Sequence, residues 1–237
     1  MKKAIEILIG EMESKLGGYA ALLSYRFMNL CVKAEPAALI SVVIEGQEGD
    51  VLNLENVARA RLANTYQYQI VPMTPDLLVP ICKGMMKSHP EFKQEVVTPD
   101  DDNKIYPTQE NEKHLMLTVP EVNKDRYDFL MDAVQTLYDQ CKVQMDKVNT
   151  SYSAKLVTKT AGLPKEEIDE AKEKMEKGQK MYSDLRDQYL SAKQKEIEEA
   201  YQKYLTENKA KQDEADERAA ARGENAGQQY RINQTED

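Results

Sequence analysis

The 237-residue chain has no tryptophan, three phenylalanines and three cysteines, and each shortage excludes a class of protein. With so few large rings there is no broad aromatic core. Thirteen tyrosines and eleven methionines point instead to helix seams filled by adaptable side chains. Cys31, Cys82 and Cys141 are odd in number, far apart and without CxxC spacing, so they read as buried thiols in a reducing compartment rather than a disulfide frame or metal site. No run approaches the roughly 20 apolar residues that span a bilayer, and no membrane is expected as a partner. The opening Met1-Lys2-Lys3-Ala4-Ile5-Glu6 places an acid in the first apolar segment, which reads as neither a signal peptide nor an acid-poor transit peptide. Arginine is scarce, 8 against 24 lysines, and the net charge is −9, which argues against a general nucleic-acid binder. The sequence contains no GxxxxGK[ST], GxSxG or HExxH, so no enzyme, catalytic residue or cofactor is expected.

What is present is periodic. Ile5, Ile9, Met12, Leu16, Ala20, Leu23, Phe27 and Leu30 recur in steps of three and four, one stripe on a long helix over residues 2–32. Pro36 ends it, because Glu35 before it is pushed out of helical geometry. The texture then changes. Residues 39–44 form a β-branched run closed by Gly46 and Gly49, and 51–54 read as a short second strand. Residues 58–62 and 66–71 alternate by two across a turn at 63–65, a hairpin pattern. Thr74-Pro75 reads as an N-cap and first helical position, with Leu78, Ile81, Cys82, Met85 and Met86 as the buried face. Residues 93–113, with Asp100-Asp101-Asp102-Asn103, read as an exposed acidic loop, and 115–119 as a last strand.

Pro120 closes that strand and Asn123 caps a second long helix. Its stripe runs Tyr127, Leu130, Val134, Leu137, Cys141, Met145, Val148, Tyr152 and Leu156, a coiled-coil-like spacing. Gly162-Leu163-Pro164 breaks it. A third helix from Lys165 carries Ile168, Ala171, Met175, Tyr182, Leu185, Tyr189, Ala192, Ala200 and Tyr204 as its seam. The fold expected is α+β. An elongated three-helix bundle (1–34 with 120–205) has a small β/α/β domain inserted after the first helix (35–119), and a polar acidic tail follows (206–237). His89 and His114 lie in or beside loops with no accompanying ligand cluster, and the Asp100–Asn103 stretch lacks the spacing of a calcium loop, so no metal site is expected.

That order, and several local segments, resemble the ribosome recycling factor family. Lys33-Ala34-Glu35-Pro36-Ala37-Ala38-Leu39 is similar to the family's hinge segment. Ile70-Val71-Pro72-Met73-Thr74-Pro75 is similar to the strand leading into its small-domain helix. Val119-Pro120-Glu121-Val122-Asn123-Lys124-Asp125-Arg126 is similar to the entry into its second bundle helix. The resemblance covers about residues 1–205. It implies an L-shaped, non-enzymatic translation factor. Such a factor binds rRNA and proteins of the large ribosomal subunit after termination and separates the subunits together with a translocase GTPase. Carried over position by position, it implies rRNA contacts at Lys33, Arg126 and Lys142 and a hinge at Glu35, Pro36, Val119 and Pro120. Two further family arginine positions hold Asp146 and Asn149, and an Asp facing phosphate would repel it. The resemblance therefore implies either a recycling factor or a recycling-factor-like structural or assembly component of a divergent mitochondrial large subunit. The location would be on ribosomes in a mitochondrial matrix or a bacterial cytoplasm.

Overall fold

The computed structural model describes residues 3–40, 42–46, 50–98 and 113–232. Helix α1 (Lys3–Asn29) buries Ile5, Ile9, Met12, Leu16, Ala20, Leu23 and Phe27 along one face, the stripe read from the sequence. Helix α4 (Lys124–Thr160) and helix α5 (Lys165–Ile232) pack against it, and the three share one hydrophobic core. Asn123 caps α4 by accepting a hydrogen bond from the Arg126 N–H at 2.9 Å, so one of the orphan donors of the first turn is satisfied. Between α4 and α5, Gly162 takes φ 80°, a left-handed conformation that glycine adopts without a Cβ penalty.

Between α1 and α4 the chain builds a second core. Strands β1 (Val43–Glu45) and β2 (Val51–Asn53) form an antiparallel pair, followed by the one-turn helix α2 (Leu54–Val57). Strands β3 (Ala58–Asn64), β4 (Gln67–Pro72), β5 (Lys93–Val97) and β6 (His114–Thr118) make an antiparallel sheet in the order β3-β4-β6-β5. Helix α3 (Leu78–Ser88) lies against β1 and β6. Gly84 permits the approach to β1: a Cβ there would sit 2.7 Å from the Val43 carbonyl oxygen. Tyr68, Ile70, Ile81, Met85, Leu115 and Leu117 are among the fully covered residues of this core, which Cys31 and Ala34 also enter from the chain leaving α1.

Four sequence expectations are corrected. Residues 39–44 are not one strand: Pro36, with φ fixed, starts a 3-10 turn over Pro36–Leu39, and Ile40 is left 76% exposed. Pro75 likewise opens a 3-10 turn, Pro75–Leu77, ahead of α3, and the Thr74 side chain makes no capping bond. Part of the expected 93–113 loop is strand β5, an edge strand whose polar composition hides its alternation. The acidic run at 100–103 and Gly49 lie outside the described residues.

The fourth correction concerns α5. The helix does not stop near Leu205 but continues to Ile232, 68 residues in all, because no proline and few residues other than strong helix formers interrupt it. From Lys209 to Ala220 it is exposed on every side. Its seam also runs one residue later than expected in two turns. Arg186 and Lys193 are buried, whereas Ala192 is exposed. Arg186 donates to Asp187 through Nε at 2.9 Å and Nη2 at 2.8 Å and lies 4.8 Å from the Tyr138 ring centroid. Lys193 donates to Glu196 at 2.9 Å. Their long aliphatic stems fill seam positions while the charged ends reach acids at the rim.

Candidate functional site at the junction of the two cores

Two peptide segments join the bundle to the inserted unit, and both are tied to the turn between β3 and β4. The Ala34 N–H donates to the Thr65 carbonyl at 2.8 Å, and the Val119 N–H donates to the Tyr66 carbonyl at 2.8 Å. The Glu35 N–H donates to the Tyr68 hydroxyl at 2.6 Å, and that hydroxyl donates back to the Glu35 carbonyl at 2.9 Å. Burial pushes the Tyr68 phenol well above its ordinary range. Glu35 and Val119 are thus fixed through their backbones, and Pro36 and Pro120 follow each of them. From the bundle, Lys203 of α5 reaches the same turn, donating to the Tyr66 hydroxyl at 3.1 Å and sitting 4.9 Å from its ring centroid.

The three candidate RNA contacts occupy different surroundings. Lys33 is half exposed and paired with Glu35 at 3.2 Å, and that pairing holds its ammonium above the usual range. Lys142 is exposed on α4. Arg126 is turned toward the junction: Nη2 donates to the Cys31 carbonyl at 2.8 Å, and Nε is buried with no hydrogen-bond partner among the described residues. Burial lowers its pKa, partly offset by Glu91 and Cys31 nearby. Asp146 is exposed on the same helix as Lys142, and the Oδ1 of Asn149 is buried with no hydrogen-bond partner among the described residues.

Beside Arg126 the structure brings Cys31 to a pair of residues far along the chain from it. Cys31, His89 and Glu91 place their donor atoms all within 4.8 Å of one another. His89 follows the last turn of α3, is 2% exposed and stacks on Phe92 with centroids 4.6 Å apart. Its Nδ1 lies 3.3 Å from Glu91 Oε1, and its Nε2 lies 3.0 Å from the Ala38 carbonyl. Burial disfavours the imidazolium, yet the contacts to Cys31, Glu91 and the Ala38 carbonyl outweigh it and raise the pKa to about 10. Burial likewise raises Glu91, and His89 pulls it back below the ordinary carboxylate value. No sequence spacing signals this cluster, because its members meet only once α1 has delivered Cys31 to the end of α3.

The family model for ribosome recycling factors matches residues 27–197. Comparison with curated proteins gives no match. Among solved structures, the solution structure of a ribosome recycling factor superposes with a TM-score of 0.64 at 16% identity, covering 84% of this chain and 100% of that one. A chain from models for the T. thermophilus ribosome recycling factor and the E. coli elongation factor G on the E. coli post-termination complex superposes with a TM-score of 0.52. The identity there is 18%, with 81% of this chain and 98% of that one covered.

Proposed function

Because the chain belongs to the ribosome recycling factor family, we propose that it acts after termination, binding the large ribosomal subunit and promoting subunit separation together with a translocase GTPase. The observation that carries this reading is the extent of the family match. Residues 27–197 take in the end of α1, the whole inserted unit, all of α4 and just under half of α5, and so include both connecting segments. The action would be mechanical. The bundle supplies a grip, the inserted unit a head, and the two segments beside Glu35 and Val119 the place where the head turns. Chemical energy would come from the GTPase.

Lys33 and Lys142 are the side chains we assign to phosphate contact, since both present an ammonium to solvent. Arg126 we assign chiefly to holding the junction, through the Cys31 carbonyl. The test is a splitting reaction. Post-termination complexes, the translocase and GTP are mixed with the purified chain, and subunits are followed by light scattering and gradient sedimentation. Free subunits are expected. Complexes that stay intact while the chain remains bound would overturn the reading.

One observation favours a second reading, that of a structural or assembly component of a divergent large subunit. Asp146 is exposed on α4, where a carboxylate repels phosphate. That reading predicts stoichiometric co-purification with idle or immature large subunits and no splitting.

A further inference from the structure

We propose that Cys31, His89 and Glu91 form a site for a divalent transition metal of the zinc class at the junction of the two cores. The inference does not depend on the ribosomal reading. It rests on four features of the cluster.

The donor set is one soft thiolate, one imidazole and one carboxylate, a combination that suits zinc and disfavours magnesium or calcium. The spacing is close to what such an ion needs. Tetrahedral bonds of about 2.0–2.3 Å put donor atoms roughly 3.3–3.6 Å apart. The His89 Nδ1 to Glu91 Oε1 gap is 3.3 Å, and the remaining gaps lie within 4.8 Å. The imidazole is also oriented. Its Nε2–H is held by the Ala38 carbonyl at 3.0 Å, which leaves Nδ1 as the ligating nitrogen, the outer-sphere arrangement typical of metal-bound histidines. Finally, among the described residues the other hydrogen bonds of the Cys31 thiol are two long ones, 3.6 Å to the Asn29 carbonyl and 3.7 Å to that of Met28.

Arg126 nearby does not bar the ion. Binding displaces one proton from Sγ and one from Nδ1. The thiolate and carboxylate then cancel the two charges of the metal, so the cluster is neutral before and after. Cys31 and His89 are buried, at 4% and 2% exposure, whereas the Glu91 side chain keeps a third of its surface open, which gives the ion an entry and a water a place at the fourth position. Bound there, the metal would fasten the chain leaving α1 to the end of α3, and through the Cys31 carbonyl to Arg126 at the start of α4.

The test uses the untagged full-length chain, stripped with a chelator and titrated with Co²⁺ and then Zn²⁺. One Co²⁺ per chain is expected, with a thiolate-to-cobalt charge-transfer band that Zn²⁺ abolishes. Cys31→Ser removes the band, while Cys82→Ser and Cys141→Ser leave it. His89→Gln and Glu91→Gln each weaken Zn²⁺ binding by at least about tenfold. Glu91→Gln sits on the open side and tests the site even if Cys31→Ser fails to fold; because it also removes the ion pair with His89, its metal-free fold is verified by circular dichroism and the metal affinity is read on the folded variant. Absence of the band, its survival in Cys31→Ser, or unchanged Zn²⁺ affinity in Glu91→Gln would each overturn the proposal.

Discussion

The hydroxyl of Tyr68 makes two hydrogen bonds to a single residue, accepting from the Glu35 N–H and donating to the Glu35 carbonyl, at 2.6 and 2.9 Å. A side chain from the centre of the sheet thereby fixes both backbone groups of the residue that leads out of the bundle.

Tyr68→Phe takes away the partner of the Glu35 N–H in a partly buried site, while the Glu35 carbonyl keeps its bond from the Ala38 N–H at 3.0 Å, and should lower stability by about 1–3 kcal/mol in denaturant titration. The pH dependence has a definite sign. Burial raises the folded phenol above the unfolded value of about 10, so the neutral form is the stabilised one. The difference between wild type and variant should hold steady below about pH 10 and shrink as the pH rises beyond it. A difference that grows with alkali would contradict the clamp.

Glycine-to-alanine changes in two helices should have opposite signs. In α3, Gly84→Ala drives a methyl to within 2.7 Å of the Val43 carbonyl and 2.6 Å of Ile44 Cδ1. A backbone atom cannot step aside as a side-chain tip can, so a loss of about 1–3 kcal/mol is expected. In α1, an added Cβ at Gly18 meets nothing within 4 Å, and Gly18→Ala should gain about 0.5–1 kcal/mol from helix propensity. Thermal melts of the two variants decide it.

Adjacent residues of α4 give a sharper contrast. Leu130 is 2% exposed in the bundle core and Phe129 is 67% exposed. Leu130→Ala should cost about 2–5 kcal/mol, and Phe129→Ala should stay within about 0.5 kcal/mol of wild type despite removing the larger side chain. Similar losses from both would mean that another molecule covers Phe129.

The charges of α4 test the ribosomal reading without touching the core, since Lys142 and Asp146 are both exposed. Lys142→Glu should weaken binding to large subunits and flatten its dependence on salt, with the slope reduced by about one phosphate contact. Asp146→Lys should tighten binding and steepen that dependence. If neither variant changes affinity in a salt series, this face of α4 does not meet RNA.

The long elements were legible because burial left its period in the residue types. Ile5 to Phe27 and Tyr127 to Leu156 each spell out a face, and the hairpin of β3 and β4 shows its alternation. What escaped did so for physical reasons. Lys93-Gln94-Glu95 opens an edge strand, where one backbone side and much of each face stay in water, so polarity says nothing against pairing. Arg186 and Lys193 occupy seam positions that any hydropathy count assigns to solvent, because their stems are apolar and only their ends are charged. Of the candidate contacts, Lys33 and Lys142 could be named from the resemblance. The inward turn of Arg126 could not, since it depends on where the carbonyl of Cys31 comes to rest.

Helix α5 carries Met175 and Ile197 inside the bundle, Lys203 on the Tyr66 ring, and then about 40 Å more of backbone as far as Ile232. It is a single strut with no joint after Gly162. Whatever grips its far end therefore pulls on the same beam that touches the head, and a load applied at that distance arrives at Tyr66 without passing through either connecting segment.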